Sequence, residues 1–454
     1  MNATATTAAR FDRVRIAADA RAIARLGAPI LVNNLSVTAM SFADTVMAGQ
    51  LGARDLAGLA IGVSYFNLFL FSGMGLFMSL SPAVAHAYGA DDARAVTRYI
   101  RQSWWLLLVV IGLLFAGAWQ AHWFLPAIGI SEDILPIAIG YVEVMAWGLP
   151  GLLAFFALRF ASEGLGHTRP IMYIAFASLL LNILGNWIFM YGKFGMPAMG
   201  AIGCGVATAI SYWVMFLSML AYVARHRLYR PFGLFRDVER PNPRILVELL
   251  RLGLPVAGSI LAEGGLFVAA ALLMGVMGAT MASAHQIALN YAAFMFMVPL
   301  AVSSATTIHV GHLRGAGLSL AARHAASTGI GMCVAVMAVS ALSIVAVNDQ
   351  IAALYTRDPV VRELAASLLL LAAIFQVSDG LQVGASGALR GFKDTAVPMA
   401  LCLFSYWVVG FPMAYVLGVQ RGLGPAYVWV GLIAGLSVCA LLLLARYRYV
   451  SRRE

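Results

Sequence analysis

Apolar positions along the chain gather into twelve long runs, and the residues between the runs are charged or are Gly and Pro. Each run is long enough, at ~1.5 Å of rise per residue, for a helix to cross a hydrocarbon core of ~30 Å. The runs predict helices near 26–48, 56–82, 103–122, 134–158, 170–190 and 200–223, then near 252–276, 281–307, 325–347, 364–388, 396–418 and 426–445. The longest polar stretch, Arg225 to Arg251, separates the two sets, and Arg230-Pro231, Arg240-Pro241 and Asn242-Pro243 interrupt any continuous helix through it. The expectation is an all-α membrane protein with twelve transmembrane helices in two parallel six-helix lobes. Its predicted parts are an arm 1–25, an N-lobe 26–224, a linker 225–251, a C-lobe 252–446 and a tail 447–454.

An internal repeat supports the division. A shift of 226 residues places Leu26-Gly27-Ala28-Pro29 on Leu252-Gly253-Leu254-Pro255 without a gap. It also places Gly49, Gly52 and Ala53 on Gly275, Gly278 and Ala279, Tyr65 on Tyr291, and His86, Gly89 and Ala90 on His312, Gly315 and Ala316. Six helices per half is an even number, so both halves start on the same side of the membrane, as in some known transporter folds.

Composition agrees with lipid as the solvent, because 61% of residues are hydrophobic and 11% charged, where a soluble domain carries about 25% charged residues. The net charge of +10 invites a nucleic-acid reading, but that needs a basic patch on a folded surface. Here the Lys and Arg residues lie between the spans. With the N-terminus inside, 25 of them fall on the cytoplasmic side and only Arg54, Lys193, Arg357, Arg362 and Arg421 outside, the asymmetry of the positive-inside rule. Both termini are therefore expected in the cytoplasm, no nucleic-acid partner is expected, and the N-terminal segment lacks the pattern of a cleaved signal. Cys204, Cys333, Cys402 and Cys439 lie in apolar runs without metal-ligand spacing and read as small core residues.

Four carboxylates interrupt the apolar runs: Asp44, Glu143, Glu263 and Asp379. An ionisable group near the bilayer centre costs roughly 2.5–3.5 kcal/mol on insertion scales, so such residues face polar cavities and carry function. Glu263 and Asp379 fall near the middle of their spans and Asp44 in the outer third of its own, whereas Glu143 has no polar neighbour in its run. The repeat maps Asp44 to Ala270 and Glu263 to Val37, so each half carries its own acidic centre. Asn182 and Asn186, four residues apart, share a helix face and either line a cavity beside Asp44 or tie two helices together. Gln376 and Gln382 near Asp379, and Gln286 with Asn290, extend the polar set of the second half. His309 and His312 read as solvated loop residues, and Gly200, Gly203 and Gly205 as points of close helix packing.

Several runs resemble the NorM branch of the multidrug and toxic compound extrusion (MATE) transporters. They are Phe42 to Gly49 (FADTVMAG), Leu181 to Phe189 (LNILGNWIF), Gly203 to Ile210 (GCGVATAI), Ala284-His285-Gln286, and Ser386 to Gly391 (SGALRG). The resemblance implies export of organic cations and amphiphilic drugs in exchange for inward sodium ions or protons, through a V-shaped pair of lobes in a bacterial inner membrane. It implies no cofactor beyond the coupling ion, and no obligatory protein partner besides the surrounding membrane lipid. Carried over by motif, Asp44, Asn182 and Asn186 line the N-lobe cavity for substrate or proton, and Glu263 and Asp379 form the cation-coupling site, which would also hold a sodium ion. Where the family pattern can place a Tyr four residues before the helix 10 acid, this chain has Phe375, which keeps the ring and loses the hydroxyl.

These acids imply antiport by competition, in which a cationic drug and a coupling ion favour different states of the same carboxylates. The nearest rival is a flippase for lipid-linked oligosaccharides or lipids, which would line its cavity with cations for phosphate. An enzyme would need a convergent nucleophile and base or a metal cluster, and none is apparent in the sequence.

Overall fold

Residues 2–234 and 239–453 are described by the computed structural model. Among them, twelve helices are long and apolar enough to cross a membrane. We number them α1 Val14–Leu51, α2 Ala53–Gly89, α3 Ala93–Trp119, α4 Leu135–Gly164, α5 Arg169–Tyr191 and α6 Gly200–Arg225. The second six are α7 Pro243–Met277, α8 Ala279–Gly315, α9 Ser319–Tyr355, α10 Pro359–Gly391, α11 Ala396–Gln420 and α12 Pro425–Arg453.

The helices run beyond the apolar windows that predict them. The turns of α1 continue back to Asn2 without a break. The second half starts its first helix at Pro243, where the fixed proline φ suits a first turn and the Asn242 side chain caps the Arg244 amide at 3.1 Å. Hydropathy windows stop at charged residues, and within these extensions Asp19 bonds His309 at 3.1 Å and Glu248 accepts from Tyr99 at 2.8 Å.

The 226-residue repeat is visible in the backbone. α2 and α8 begin at Ala53 and Ala279 and end at Gly89 and Gly315, and α3 and α9 begin at Ala93 and Ser319. The corners before α2 and α8 are equivalent glycines, Gly52 at φ +134° and Gly278 at φ +123°. A side chain would be strained at either angle, so the sharp reversal depends on glycine.

Contacts divide the chain into two compact units, one of Val32–Ala257 and one of residues 1–31 with 258–454. α1 and α7 each change unit partway, at positions that the repeat also relates. Within each unit small residues allow close approach. A Cβ on Gly203 of α6 would sit 2.6 Å from the Phe189 carbonyl of α5, and one on Gly387 of α10 would sit 2.6 Å from the Ser303 carbonyl of α8, the small-residue contacts through which membrane helices associate. α11 departs from regular α geometry, with wide π-type turns over Ser405–Gly410 and Ala414–Gln420 around Pro412.

Candidate functional site

In the unit Val32–Ala257, the sequence-selected residues of α1 and α5 meet. Asp44 is buried at 6% exposure, and Asn182 and Asn186 are fully buried. The Asn186 amide donates to Asp44 Oδ1 at 2.6 Å and the Thr208 hydroxyl of α6 donates to Oδ2 at 3.3 Å. Asn182 in turn donates to Thr208 at 2.9 Å and faces Asn186 at 3.4 Å. The two amides follow the second reading, tying α5 to α6 through Thr208 and α5 to α1 through Asp44, and neither is among the residues that line the adjoining cavity. Such a set orients an acid that would otherwise be costly in an apolar interior.

Asp44 opens onto a cavity of about 80 Å³. Its walls combine Asp44, Thr45, Asn67 and Thr208 with rings and thioethers, including Phe66, Tyr141, Tyr212 and Met145. The phenols of Tyr141 and Tyr212 are close enough to feel the Asp44 charge. Among the described residues no Lys or Arg lines this cavity. Sequence reasoning missed Thr208, Tyr141 and Tyr212, and it read Cys204 as core filling, whereas its thiol also approaches Asp44. The spacing of Cys204 and Thr208, four apart on α6, was the available signal.

The unit containing residues 258–454 brings together the second set. Glu263 of α7 and Asp379 of α10 interact through their charges, Asp379 being buried at 4% exposure. Gln382 hydrogen-bonds Glu263, and the Arg390 guanidinium faces the same carboxylate. Phe375, one turn before Asp379, packs edge-on against Phe267 at 5.9 Å and against Trp429 at 5.7 Å. The Tyr406 ring is fully buried on the widened stretch of α11, where its hydroxyl lies within reach of the Glu263 charge.

This second cluster is poor in internal partners. Among the described residues, Asp379 Oδ1, Gln382 Oε1, both polar atoms of the Gln376 amide and both nitrogens of His285 are buried without a hydrogen bond. His285 stands against Trp429 at 5.6 Å, and it is a site residue that residue-by-residue reasoning did not weigh.

Other expectations are corrected. Glu143 has a polar neighbour, His122 on the short helix Ala121–Ala127, at 2.5 Å on a half-exposed surface, and it joins neither cluster. Gln286 and Asn290 bond each other at 3.1 Å on an exposed face of α8, away from the second cluster. His309 and His312 lie within α8 rather than in a loop, and His309 bonds the carboxylate of Asp19 at 3.1 Å. Arg159 and Arg390, counted among loop cations in the sequence, are buried inside α4 and α10. Arg159 pairs with Glu163 one turn on at 2.7 Å and reaches Asn34 of α1 at 3.2 Å, and Arg390 donates to Ser303 at 3.0 Å. The buried charges of these helices are therefore not purely acidic.

The MatE family model matches residues 29–188 and 255–416, more than half of the chain, in two segments that start 226 residues apart. Among solved structures, the eukaryotic MATE transporter AtDTX14 is 20% identical, with a TM-score of 0.87 over 97% of this chain and 98% of that one. A multidrug resistance MATE family transporter of the MOP superfamily, in an outward-facing conformation, is 22% identical with a TM-score of 0.86 over 96% of each chain. A MOP superfamily transporter from Pyrococcus furiosus, described as having a binding pocket of reverse polarity that suggests a different function, is 23% identical with a TM-score of 0.83 over 96% of each chain.

Proposed function

The chain belongs to the MatE family of membrane transporters, and on that premise we propose that it exports organic cations and amphiphilic drugs by antiport against sodium ions or protons, as in the NorM branch. The observation that carries this reading is the sign and make-up of the α1/α5/α6 cavity. A buried carboxylate held by amide and hydroxyl donors faces aromatic and thioether walls, with no cation among the lining residues. Such a wall suits the cationic end of an amphiphile, which gains apolar contact, cation–π attraction and a counter-charge together.

In this reading the two acidic centres divide the work. Asp44, with Asn182 and Asn186, binds the cationic substrate or exchanges its proton. Glu263 and Asp379 take up the coupling ion from outside, and the neutralisation of their mutual repulsion favours release of the drug. Phe375 offers no oxygen, and the Tyr406 hydroxyl supplies a phenol to the same cluster from α11. The acid pair is the feature that links ion binding to a change of state, because two like charges in a low-dielectric site favour a form that holds a cation. The proposed orientation in the inner membrane of a bacterium, with both termini cytoplasmic, follows the distribution of Lys and Arg.

The flippase reading requires a cavity lined with cations for a phosphate-bearing head, and the lining of the Asp44 cavity opposes it. Purified protein in vesicles tests the choice. A sodium gradient at equal pH, and then a pH gradient without sodium, should be imposed while a fluorescent cationic drug is followed. One of the two gradients is expected to drive uptake against the drug gradient. Failure of both, with translocation of a fluorescent lipid instead, would replace the antiporter by a flippase.

A further inference from the structure

Apart from both carboxylate clusters, α9, α10 and α12 enclose a cavity of about 380 Å³. Three guanidinium groups line it, those of Arg323 in the second turn of α9 and of Arg448 and Arg452 near the end of α12. Among the described residues none of the three has an acidic partner. Beside them Tyr447 donates to the Arg323 carbonyl at 2.9 Å and shares a 2.8 Å hydrogen bond with Ser327. Deeper along the same helices the lining turns apolar, with Ile330, Leu381 and Leu444. The change from guanidinium to hydroxyl to aliphatic occupies ~12 Å of helix on α9, from Arg323 to Gly331, and as much on α12, from Arg452 back to Leu444.

The other unit shows what covers the equivalent groove. The 226-residue shift maps Arg323, Ser327 and Gly331 onto Thr97, Arg101 and Trp105 of α3. All three hold the linker that follows α6. Thr97 donates to the Phe232 carbonyl at 3.0 Å, Arg101 to the Gly233 carbonyl at 2.6 Å and to the Glu239 carboxylate at 3.0 Å, and the Trp105 indole to the Glu239 carbonyl at 2.8 Å. Phe232 and Leu234 of the same segment are buried. An acid and apolar groups from the chain's own linker thus cover the α3 face. Each face has one arginine, but α12 adds Arg448 and Arg452 where the first half has Tyr222 and His226, and a cavity forms there instead.

We propose that the α9/α10/α12 cavity binds an anionic phospholipid of the surrounding bilayer. The phosphate sits among Arg323, Arg448 and Arg452, as headgroups do in basic pockets between transmembrane helices, and one acyl chain lies along Ile330, Leu381 and Leu444. The apolar depth distinguishes a lipid from a free phosphate, and the helices carrying the cavity cross the membrane, so lipid is the amphiphile at hand. This site shares no lining residue with the Asp44 cavity on which the transport reading rests.

Native mass spectrometry of the full-length protein, titrated with phosphatidylglycerol or with phosphatidylcholine, tests the assignment. The unaltered protein should hold one phosphatidylglycerol about fivefold or more tighter than phosphatidylcholine, since each nearby cation favours an anionic lipid by about that factor. Arg323→Gln with Arg448→Gln should lose that preference. Gly331→Leu is the second variant, because a Cβ there meets nothing within 4 Å and Leu is the better helix former. It fills the cavity without disturbing the helix and should expel the same single lipid while phosphatidylcholine binding stays unchanged. Equal binding of the two lipids by the unaltered protein, or full retention of phosphatidylglycerol by both variants, would overturn the site. Displacement of the lipid by millimolar inorganic phosphate would make it a free-anion site and overturn the lipid assignment.

Discussion

The two units answer the same physical problem in opposite ways. In the unit Val32–Ala257 two buried polar groups bond internally: Asp44 with Asn186 and Thr208, and Arg159 with Glu163 and Asn34. Asn186 Oδ1 is the exception in the first group. In the other unit Asp379, Gln376, Gln382 and His285 each retain a buried atom with no internal partner, and three arginines face a cavity. A buried donor or acceptor left unpaired costs about 1–3 kcal/mol. Several such atoms at one place form a polar site that an ion or water can satisfy. The repeat preserved the backbone at the glycine corners, while the side chains diverged into a centre with internal hydrogen bonds and one with unpaired polar atoms.

The most damaging test of that division is neutralisation of the Glu263–Asp379 centre. Glu263→Gln or Asp379→Asn should reduce ion-driven drug uptake in vesicles to the leak seen without protein, because each change removes one charge of the pair on which coupling depends. Asp44→Asn keeps the shape of the first centre but gives up charge-assisted bonds worth about 1.5–3 kcal/mol each. Drug affinity should fall at least about tenfold, with abundance and membrane insertion near normal. If both changes in the 258–454 unit leave uptake coupled while Asp44→Asn abolishes ion dependence, the assignment of roles to the two units is reversed.

A smaller effect is expected from restoring an oxygen. Phe375→Tyr places a hydroxyl one turn from Asp379, among rings that already pack edge-on. In sodium-driven uptake the half-saturating sodium concentration should drop by about two- to tenfold, the worth of one neutral ligand bond. No change in sodium dependence, with proton-driven uptake intact, would assign the pair to protons. His285→Phe then probes the unpaired atoms directly. The ring stays against Trp429 while both nitrogens disappear, so the unfolding temperature should shift by less than about 2 °C or rise. Uptake should fall by about two- to tenfold if an imidazole nitrogen serves the transported species. A large drop in unfolding temperature would show instead that His285 is a structural member of the core.

Length and apolarity made the twelve helices legible, and the 226-residue shift gave their pairing. The helix ends were not legible, because windows of hydropathy stop at the first charge and therefore cut Arg159 and Arg390 out of helices that bury them. Asp44, Asn182 and Asn186 stood out because polar side chains are rare in such runs. Thr208 did not, because a threonine in an apolar helix commonly bonds its own preceding turn, as Thr306 does to Val302 at 2.8 Å. His285 was hidden for a related reason. It adjoins Gln286, and only the helix rotation seen in three dimensions separates the buried imidazole from the exposed amide.

Glu143 sets the lower end of the scale and so sharpens the contrast. It lies in the same unit as Asp44 and is also a carboxylate in an apolar run, yet its side chain is 37% exposed and pairs with a His122 that is 50% exposed. An ion pair with that much solvent access contributes about 0–1 kcal/mol, and neither partner touches the cavity lined by Asp44. Glu143→Gln keeps a hydrogen-bond acceptor for the imidazole and removes only the charge. Uptake and its ion dependence should match the unaltered protein within about twofold, and the unfolding temperature should move by no more than about 2 °C. Loss of uptake in a correctly inserted Glu143→Gln protein would mean that exposure does not separate working acids from incidental ones, and the internal satisfaction of the Asp44 centre would lose its functional meaning.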